Sequence, residues 1–246
     1  MTNYGTAPWY DYRSSIKNVQ IENGITTVGS HAFGYCSSLT DITIPSSVTS
    51  IEGRAFDGCS GLTNITIPNS VTNIGNYAFD GCSGLTDITI PNSVTSIGSN
   101  AFRYCSVLTS IVVEDGNKVY DSRDNCNGII EKSTNTLIAG CQNTVIPNSV
   151  TSIGSYAFSG CSGLTNITIP GSVTSIGKSA FSGATFLIKF LIAWTFAKLS
   201  SNMISYLYQF FTPQEMIKFG KGVVKLRIPI LILSIILLFP AALGYF

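Results

Sequence analysis

The chain has 246 residues, of which 45% are hydrophobic and only 11% are charged, a balance typical of an ordered protein with a sizeable core. Residues 1–184 carry 8 Lys/Arg and 12 Asp/Glu, whereas residues 185–246 carry 6 Lys/Arg and 1 Asp/Glu. Because binding to a phosphate backbone requires clustered Lys and Arg, the acidic first part excludes nucleic acid as an expected partner.

The amino-terminal residues 1–18 contain Arg13 and Lys17, and no apolar run follows these charges. A secretory signal peptide combines a basic start with an apolar stretch of roughly 7–15 residues. We therefore predict that this chain carries no signal peptide.

From residue 19 to residue 184 the sequence repeats with a period of 23 residues. A fixed period of this length is typical of a solenoid, in which each repeat forms one coil and stacked coils share a core; about seven coils fit in this range. The positions that mark the period are Phe33, Phe56, Phe79, Phe102, Phe158 and Phe181, and Cys36, Cys59, Cys82, Cys105 and Cys161.

The best-preserved repeat predicts how one coil is built. Leu62, Ile65 and Ile67 have the L-x-x-L-x-L spacing of a leucine-rich repeat, whose short strand directs alternate residues into the core. Val71 and Ile74 form a second inward pair, and a turn or short helical segment closes the coil. The predicted fold is a leucine-rich-repeat solenoid of the α/β type, built mostly from short parallel β-strands.

Residues 111–144 interrupt the array, because they lack the Phe position and alternate like strands. We interpret them as an inserted hairpin coil with its turn at residues 133–136. A two-residue turn beginning at Ser133 would bring Cys126 opposite Cys141, which leaves a cross-strand disulfide open. Moving the turn by one residue removes that alignment, so free thiols are the alternative.

The string IPNSVTSIGxxAFxGCSGLTxIT, repeated through residues 19–184, closely resembles the BspA-like leucine-rich repeats of surface proteins from anaerobic bacteria and some parasitic protists. The segment GTAPWYDYRSSIKNV resembles the end of the cap that precedes such arrays, so residues 1–18 are interpreted as a remnant of an amino-terminal cap. The resemblance implies a surface-attached protein with an adhesive role, and it implies no catalytic residues. Ala184 departs from the pattern, because Cys is expected at that position.

The chemically reactive residue types predict no enzyme. The five repeat cysteines are predicted to face inward beside Phe, where Cys acts as a small buried hydrophobe, and no C-x-x-C pair suggests a metal site. The only histidine, His31, falls at a repeat position that Arg54 and Tyr77 occupy in other coils, which indicates variable surface. We therefore predict no catalytic residues, no metal, no cofactor and no small-molecule substrate.

The outward side of the first strand is predicted to stack polar side chains from successive coils into a flat, weakly charged strand face. We interpret this strand face as a binding site for an extracellular or host protein or glycan, because solenoids build binding surfaces by repetition. The same residue types are also suitable as soluble fillers of an exposed strand. The predicted binding residues are Asp41, Thr43, Asn64, Thr66, Asp87, Thr89, Ser110, Asn166 and Thr168.

A second regular array consists of threonines that follow the strand of each coil. Ordered hydroxyl groups in such an array can organise water, so an ice-binding-like surface is a remote alternative function. The interspersed Asp and Asn side chains make the surface less uniform than ice binding requires. The threonines are Thr49, Thr72, Thr95, Thr151 and Thr174.

Residues 185–246 are predicted to form a hydrophobic helical tail. Residues 228–246 carry no charge, and their length is close to the roughly 20 residues that span a bilayer, so we predict a transmembrane helix with a buried soluble helix as the alternative. An earlier apolar stretch, 186–211, has Lys198 near its middle and is predicted to be a weak span or an interfacial helix. One span would place the repeats inside the cell, and two spans would place them outside.

The leading functional hypothesis is a non-enzymatic, membrane-associated repeat protein of the cell surface that binds or adheres to an extracellular protein or glycan. The runner-up is a truncated or frame-shifted structural fragment of an array without a specific ligand. A binding screen against surface proteins and glycans distinguishes these two hypotheses.

Overall fold

A computed structural model describes residues 7–184 and the backbone of the strand Leu187–Lys189. All the described residues belong to one compact unit. The predicted hydrophobic tail, with its transmembrane helix at 228–246, lies outside the described residues apart from that strand. Within the described part of the chain, no helix has the length and apolar character that crossing a membrane requires.

Most coils contribute two short strands that pair in parallel with strands of neighbouring coils, which confirms the predicted solenoid of short parallel strands. Buried and exposed residues alternate along the strand Asp87–Ile90, as the repeat pattern predicts. The described residues contain no α-helix, and the two short 3-10 helices are Tyr10–Tyr12 and Arg123–Asn125. The strands are β1 (Asn18–Gln20), β2 (Thr27–Val28), β3 (Asp41–Thr43), β4 (Ser50–Ile51), β5 (Asn73–Ile74), β6 (Asp87–Ile90), β7 (Ser96–Ile97), β8 (Ser110–Val113), β9 (Tyr120–Asp121), β10 (Gly128–Glu131), β11 (Thr136–Gly140), β12 (Ser152–Ile153), β13 (Asn166–Thr168), β14 (Ser175–Ile176) and β15 (Leu187–Lys189).

The second strands of the coils form the more continuous of the two strand columns. β2, β4, β5 and β7 form one four-stranded sheet in that order, and β11, β12 and β14 form the parallel part of the five-stranded sheet that follows it. Equivalent residues of neighbouring coils lie side by side, as Ser50 beside Asn73 and Ile51 beside Ile74 show. The apolar residues of the four-stranded sheet therefore form one row on its inner side, which consists of Val28, Ile51, Ile74 and the half-buried Ile97.

The first strands form three separate pairs, β1 with β3, β6 with β8, and β13 with β15. Residues 64–66, which would join the first two pairs, are not paired as a strand, although Ile65 and Ile67 are buried. β15 extends this column past residue 184, with Ile188 beside Ile167 of β13. Strand pairing along this face is therefore interrupted between β3 and β6 and between β8 and β13, although the Thr86 N–H donates to the Thr63 carbonyl at 3.0 Å.

The Phe position forms a stacked aromatic column in the core. Trp9 stacks on Phe33 with 5.7 Å between ring centroids, and its indole N–H donates to the Ala32 carbonyl at 2.7 Å, so Trp9 covers the first ring of the column. Aromatic stacking adds to the area that these rings bury. The centroid distances are 5.6 Å for Phe33–Phe56, 5.4 Å for Phe56–Phe79, 5.6 Å for Phe79–Phe102 and 4.9 Å for Phe158–Phe181.

The Cys position forms a second buried column, which confirms that the repeat cysteines are core residues. Three of these thiols reach a backbone carbonyl of the preceding coil, so the column also links neighbouring coils. The thiol-to-oxygen distances are 3.1 Å from Cys59 to Phe33, 3.1 Å from Cys82 to Phe56 and 3.3 Å from Cys105 to Phe79.

A turn closes each repeat coil, and each turn contains two residues with positive φ. We call this column of six turns the turn edge. The N–H of the second positive-φ residue donates to the next coil, as in Gly81 to the Arg103 carbonyl at 2.8 Å. The first positions are His31, Arg54, Tyr77, Asn100, Tyr156 and Ser179, and the second positions are Tyr35, Gly58, Gly81, Tyr104, Gly160 and Gly183.

The insert folds as an antiparallel hairpin, as its sequence predicts, with Glu131 beside Thr136 at the turn end of β10 and β11. β9 pairs with the other edge of β10. Asn117 joins the start of the insert to the preceding coil, because its buried side-chain amide donates to the Pro91 carbonyl at 3.0 Å and to the Val94 carbonyl at 2.9 Å.

A β-bulge changes the hairpin register between Ile129 and Ile130. The thiol of Cys141 consequently lies 3.3 Å from the carbonyl of Asn127, and both Cys126 and Cys141 are buried free thiols. The two-residue turn would have placed Cys126 opposite Cys141, and the bulge removes that alignment. The register on which the disulfide interpretation depended is therefore not the one in the structure.

Candidate functional site

The predicted strand face is exposed to solvent. Eight of its nine predicted residues are exposed, and Ser110 is half-buried. In β3, the exposed Asp41 and Thr43 flank the buried Ile42, and Asp41 lies beside Asn18 of β1. These side chains are therefore available to a partner, as the alternating pattern predicts.

The most regular part of the strand face lies on β6 and β8. Asp87 lies beside Ser110, and Thr89 lies beside Val112, whose side chain is 44% exposed. The Thr86 hydroxyl lies 2.8 Å from the Asp87 carboxylate and 3.1 Å from the Thr63 carbonyl, and its single proton is available to one of these acceptors at a time. The patch offers hydrogen-bonding groups on a paired backbone, which suits binding.

Asn64 and Thr66 do not join this patch through strand pairing. Both are exposed, but residues 64–66 belong to neither the sheet of β3 nor the sheet of β6. Asn166 and Thr168 lie on β13, in a sheet separate from β8. The nine predicted residues are therefore distributed over three strand pairs and one unpaired segment.

The threonine array that suggests ice binding connects neighbouring coils. Because a hydroxyl group has a single proton, each of these threonines uses its donor inside the solenoid. The array is therefore a set of contacts between coils that leaves fewer groups to organise water. The hydroxyl-to-carbonyl distances are 3.2 Å from Thr49 to Thr26, 3.3 Å from Thr72 to Thr49, 3.3 Å from Thr95 to Thr72, 3.3 Å from Thr151 to Thr134 and 3.2 Å from Thr174 to Thr151.

A different cluster lies along the turn edge, and the sequence analysis did not identify it. The guanidinium carbon of Arg54 lies 4.5 Å from the ring centroid of Tyr77. The guanidinium carbon of Arg103 lies 4.6 Å from the ring centroid of Tyr104 and 5.8 Å from that of Tyr156. We call these five residues the arginine–tyrosine cluster, and its contacts are within the range of cation–π attraction.

Two buried aspartates hold the guanidinium groups of this cluster. Arg103 donates two hydrogen bonds to the Asp80 carboxylate, at 3.2 and 3.1 Å, and Arg54 forms an ion pair with Asp57 at 3.0 Å. Burial raises the pKa of Asp80, although the hydrogen bond from Arg103 acts in the opposite direction. The aspartate side chains are 7% exposed, against 39% for Arg54 and 26% for Arg103, so the cluster presents cations to solvent.

The turn edge was missed because its first position shows no shared chemistry. His31, Arg54 and Tyr77 all adopt φ near +60°, and of these residue types only His is enriched in that conformation. The available signal was the second position, where Gly is frequent and marks positive φ. Burial, followed by the charge of Arg54, lowers the pKa of His31, which is half-buried in this turn.

The cysteines have the properties of core residues and not of nucleophiles. Burial raises the pKa of Cys36 and Cys126 to about 11 and that of Cys161 to about 12. Such thiols stay protonated at neutral pH, and a protonated thiol is unreactive. Among the described residues, no group of three or more His, Cys, Asp or Glu is placed to hold a metal ion.

Comparison with protein families matches this sequence to the BspA type leucine rich repeat region, in six copies over residues 9–127 and 130–227. The match therefore includes Trp9 and continues beyond residue 184. A comparison with curated proteins finds no match.

Solved leucine-rich repeat proteins of bacteria are also similar. A protein from Bacteroides ovatus ATCC 8483 is 30% identical over 72% of this chain and 49% of its own, with a TM-score of 0.51. A protein from Eubacterium ventriosum ATCC 27560 is 26% identical over 77% of this chain and 65% of its own, with a TM-score of 0.54. A leucine rich cell surface protein from Faecalibacterium prausnitzii A2-165 is 34% identical over 71% of this chain and 41% of its own, with a TM-score of 0.46. This chain spans less than two thirds of the length of each of these proteins.

Proposed function

The chain belongs to the BspA-type leucine-rich repeat family, and we therefore propose that it is a non-enzymatic binding protein of the cell surface. The proposed partner is an extracellular protein or glycan that contacts the strand face. Membership of a family of repeat proteins supports a non-enzymatic binding protein. The similarity to a protein described as a cell surface protein supports a location at the cell surface.

The observation that carries the choice of surface is the exposed polar row on β6 and β8. Asp87 and Thr89 alternate with the buried Ile88, so their side chains project from a rigid, hydrogen-bonded strand. Neighbouring strands lie about 4.8 Å apart, which allows one partner to contact several coils at once. A rigid surface also loses little conformational entropy when it binds.

Binding of the full chain to arrays of purified extracellular-matrix proteins and glycans tests this proposal. We expect at least one partner, and we expect Thr89→Lys to weaken its binding about tenfold or more, because the larger charged side chain disrupts the packed interface. Asn69→Lys is the matched control, since it adds the same charge at an exposed position away from the strand face. Equal binding by the two variants would show that the strand face is not the binding site. Absence of binding to any protein or glycan on the arrays would contradict the proposed binding function.

Attachment to a membrane is the second part of the proposal, and it rests on the uncharged sequence of residues 228–246. A protease added to intact cells tests the location of the repeats. Digestion of the repeats in intact cells is the expected result, and protection until the cells are lysed would contradict a surface role.

A further inference from the structure

The arginine–tyrosine cluster lies on a column that continues past the insert without a break. The N–H of Tyr104 donates to the Ser159 carbonyl at 2.9 Å, and this bond has the same pattern as that from Gly81 to Arg103. The insert therefore contributes no layer at the turn edge. Tyr77, Tyr104 and Tyr156 consequently belong to three successive turns, whereas the first strands are divided at two places.

Two exposed tyrosine rings of the turn edge lie against glycines of the next coil. A β-carbon on Gly58 would lie 2.7 Å from the ring of Tyr35, and a β-carbon on Gly160 would overlap the ring of Tyr104. The two rings are 46% and 44% exposed, so each keeps a face or an edge open to solvent. The absence of side chains at Gly58 and Gly160 thus allows both rings to pack directly on the backbone of the next coil.

The charges of the cluster are arranged with cations outside and anions inside. Arg103 uses its Nε and one Nη2 hydrogen on Asp80, so three of its five N–H groups have no acceptor within the described residues. Arg54 uses Nη1 on Asp57, and its side chain is 39% exposed. A ligand that approaches this edge therefore meets oriented N–H donors beside aromatic rings.

We propose that the arginine–tyrosine cluster is a second binding site, which takes a carboxylated sugar chain. The apolar face of a sugar ring can pack on a tyrosine ring, and its carboxylate can accept hydrogen bonds from the guanidinium groups. An acidic peptide supplies the carboxylate but not a rigid ring, so the flat tyrosines favour the sugar. The site uses none of the residues of the strand face, and it is independent of that part of the proposed function.

Binding of the full-length chain to polygalacturonate, measured by biolayer interferometry at low and high salt, tests this site. We expect salt-sensitive binding that methyl esterification of the polymer reduces about tenfold, because esterification removes the carboxylate and keeps the ring. Absence of binding to polygalacturonate would overturn the proposal. Equal binding of the esterified polymer, or tighter binding of poly-L-glutamate, would also overturn it.

The variants use residues that other coils have at the same positions, so they keep the fold. Tyr104→Gly matches Gly58, Gly81 and Gly160, and we expect about tenfold weaker binding to polygalacturonate. The double variant D80S/R103S matches Ser159 and Ser182, and it removes the ion pair without leaving a buried carboxylate unpaired.

We expect D80S/R103S to lose the salt-sensitive part of polygalacturonate binding, whereas Asn69→Ala, at an exposed position outside both proposed sites, should bind the polymer as the unmodified chain does. If Tyr104→Gly and D80S/R103S both bind polygalacturonate with unchanged affinity, the site is not the arginine–tyrosine cluster. A chain that binds polygalacturonate but no array partner would contradict the strand-face function alone.

Discussion

Each turn of the turn edge requires two residues to adopt positive φ, which L-residues other than Gly adopt at a cost. Gly81 has φ +69°, and a β-carbon there would be 3.5 Å from the nearest heavy atom, which is ordinary contact. The cost of Gly81→Ala is therefore conformational and not steric, and we expect the free energy of unfolding to fall by about 1–2 kcal/mol. Urea denaturation measures this change.

Gly171→Ala is the matched control for this backbone prediction. A β-carbon on Gly171 meets nothing within 4 Å, and its φ lies outside the left-handed region. We expect a change of less than about 0.5 kcal/mol for this substitution. An equal loss in Gly81→Ala and Gly171→Ala would contradict the role of positive φ.

The buried thiols make stability depend on pH in the alkaline range. Burial raises the pKa of Cys36 from its ordinary value of 9.0 to about 11. The folded state therefore holds the proton more tightly, so this contribution to stability is complete below about pH 9 and is lost as the pH rises toward 11. We expect the free energy of unfolding to fall by about 1.4 kcal/mol per pH unit for this thiol in that window.

Comparison of Cys36→Ala with the unmodified chain isolates this effect, because Ala184 already occupies the equivalent repeat position. Urea denaturation at pH 8 and pH 10 should show a shallower pH dependence in the variant. Identical pH dependence in the two proteins would mean that Cys36 ionises in the folded chain as easily as in the unfolded chain.

Among the elements, the start of the inserted hairpin is linked to the preceding coil by a buried side chain. The Asn117 side chain donates to the Pro91 and Val94 carbonyls, and its carbonyl oxygen accepts the N–H of Tyr120 at 2.8 Å. Asn117→Ala would leave these backbone groups buried and unsatisfied, so we expect a loss of about 3 kcal/mol in urea denaturation. Asn69→Ala is the exposed control, and a loss as small as the control's would show that water replaces the amide.

The elements that the sequence predicted are those with a strict apolar period. Leu62, Ile65 and Ile67 predicted an inward first segment because each is apolar at the required spacing, and all three are buried. The missing strand pairing at residues 64–66 left no signal, because residues 62–67 have the same sequence as residues 164–169, which include β13. The hairpin was predicted by alternation, but the bulge beside Ile130 depends on how β11 packs, which alternation does not encode.

The strand face was predicted from the regular spacing of its residues, whereas the arginine–tyrosine cluster was not. Exposure of Asp87 and Thr89 follows from the strand period and is confirmed. Proximity of Arg103 to Tyr156 was not predictable from spacing, because the insert lies between them in sequence and not at the turn edge. The contact depends on the order in which the turns stack, and this order is a property of the whole solenoid.

At the scale of the whole molecule, the insert divides the aromatic column into two blocks. Gly140 of β11 takes the place of a Phe, and a β-carbon there would overlap the ring of Phe158. The first block ends at Phe102, and the second contains Phe158 and Phe181. We call the junction between the two blocks at Gly140 the seam. In a solenoid each coil contacts only its neighbours, so a change in one block affects the other only through the seam.

Amide hydrogen exchange of the full chain tests whether the two blocks are separate cooperative units. Phe158 is fully buried, so Phe158→Ala should cost about 3–5 kcal/mol and should accelerate exchange at β12 and β14. β4 and β5 lie beyond the seam and should keep their protection. Phe56→Ala should give the reverse pattern, because its ring stacks only within the first block. If both variants accelerate amide exchange to the same extent in all the second strands, unfolding is transmitted across the seam at Gly140. The solenoid would then unfold as one unit.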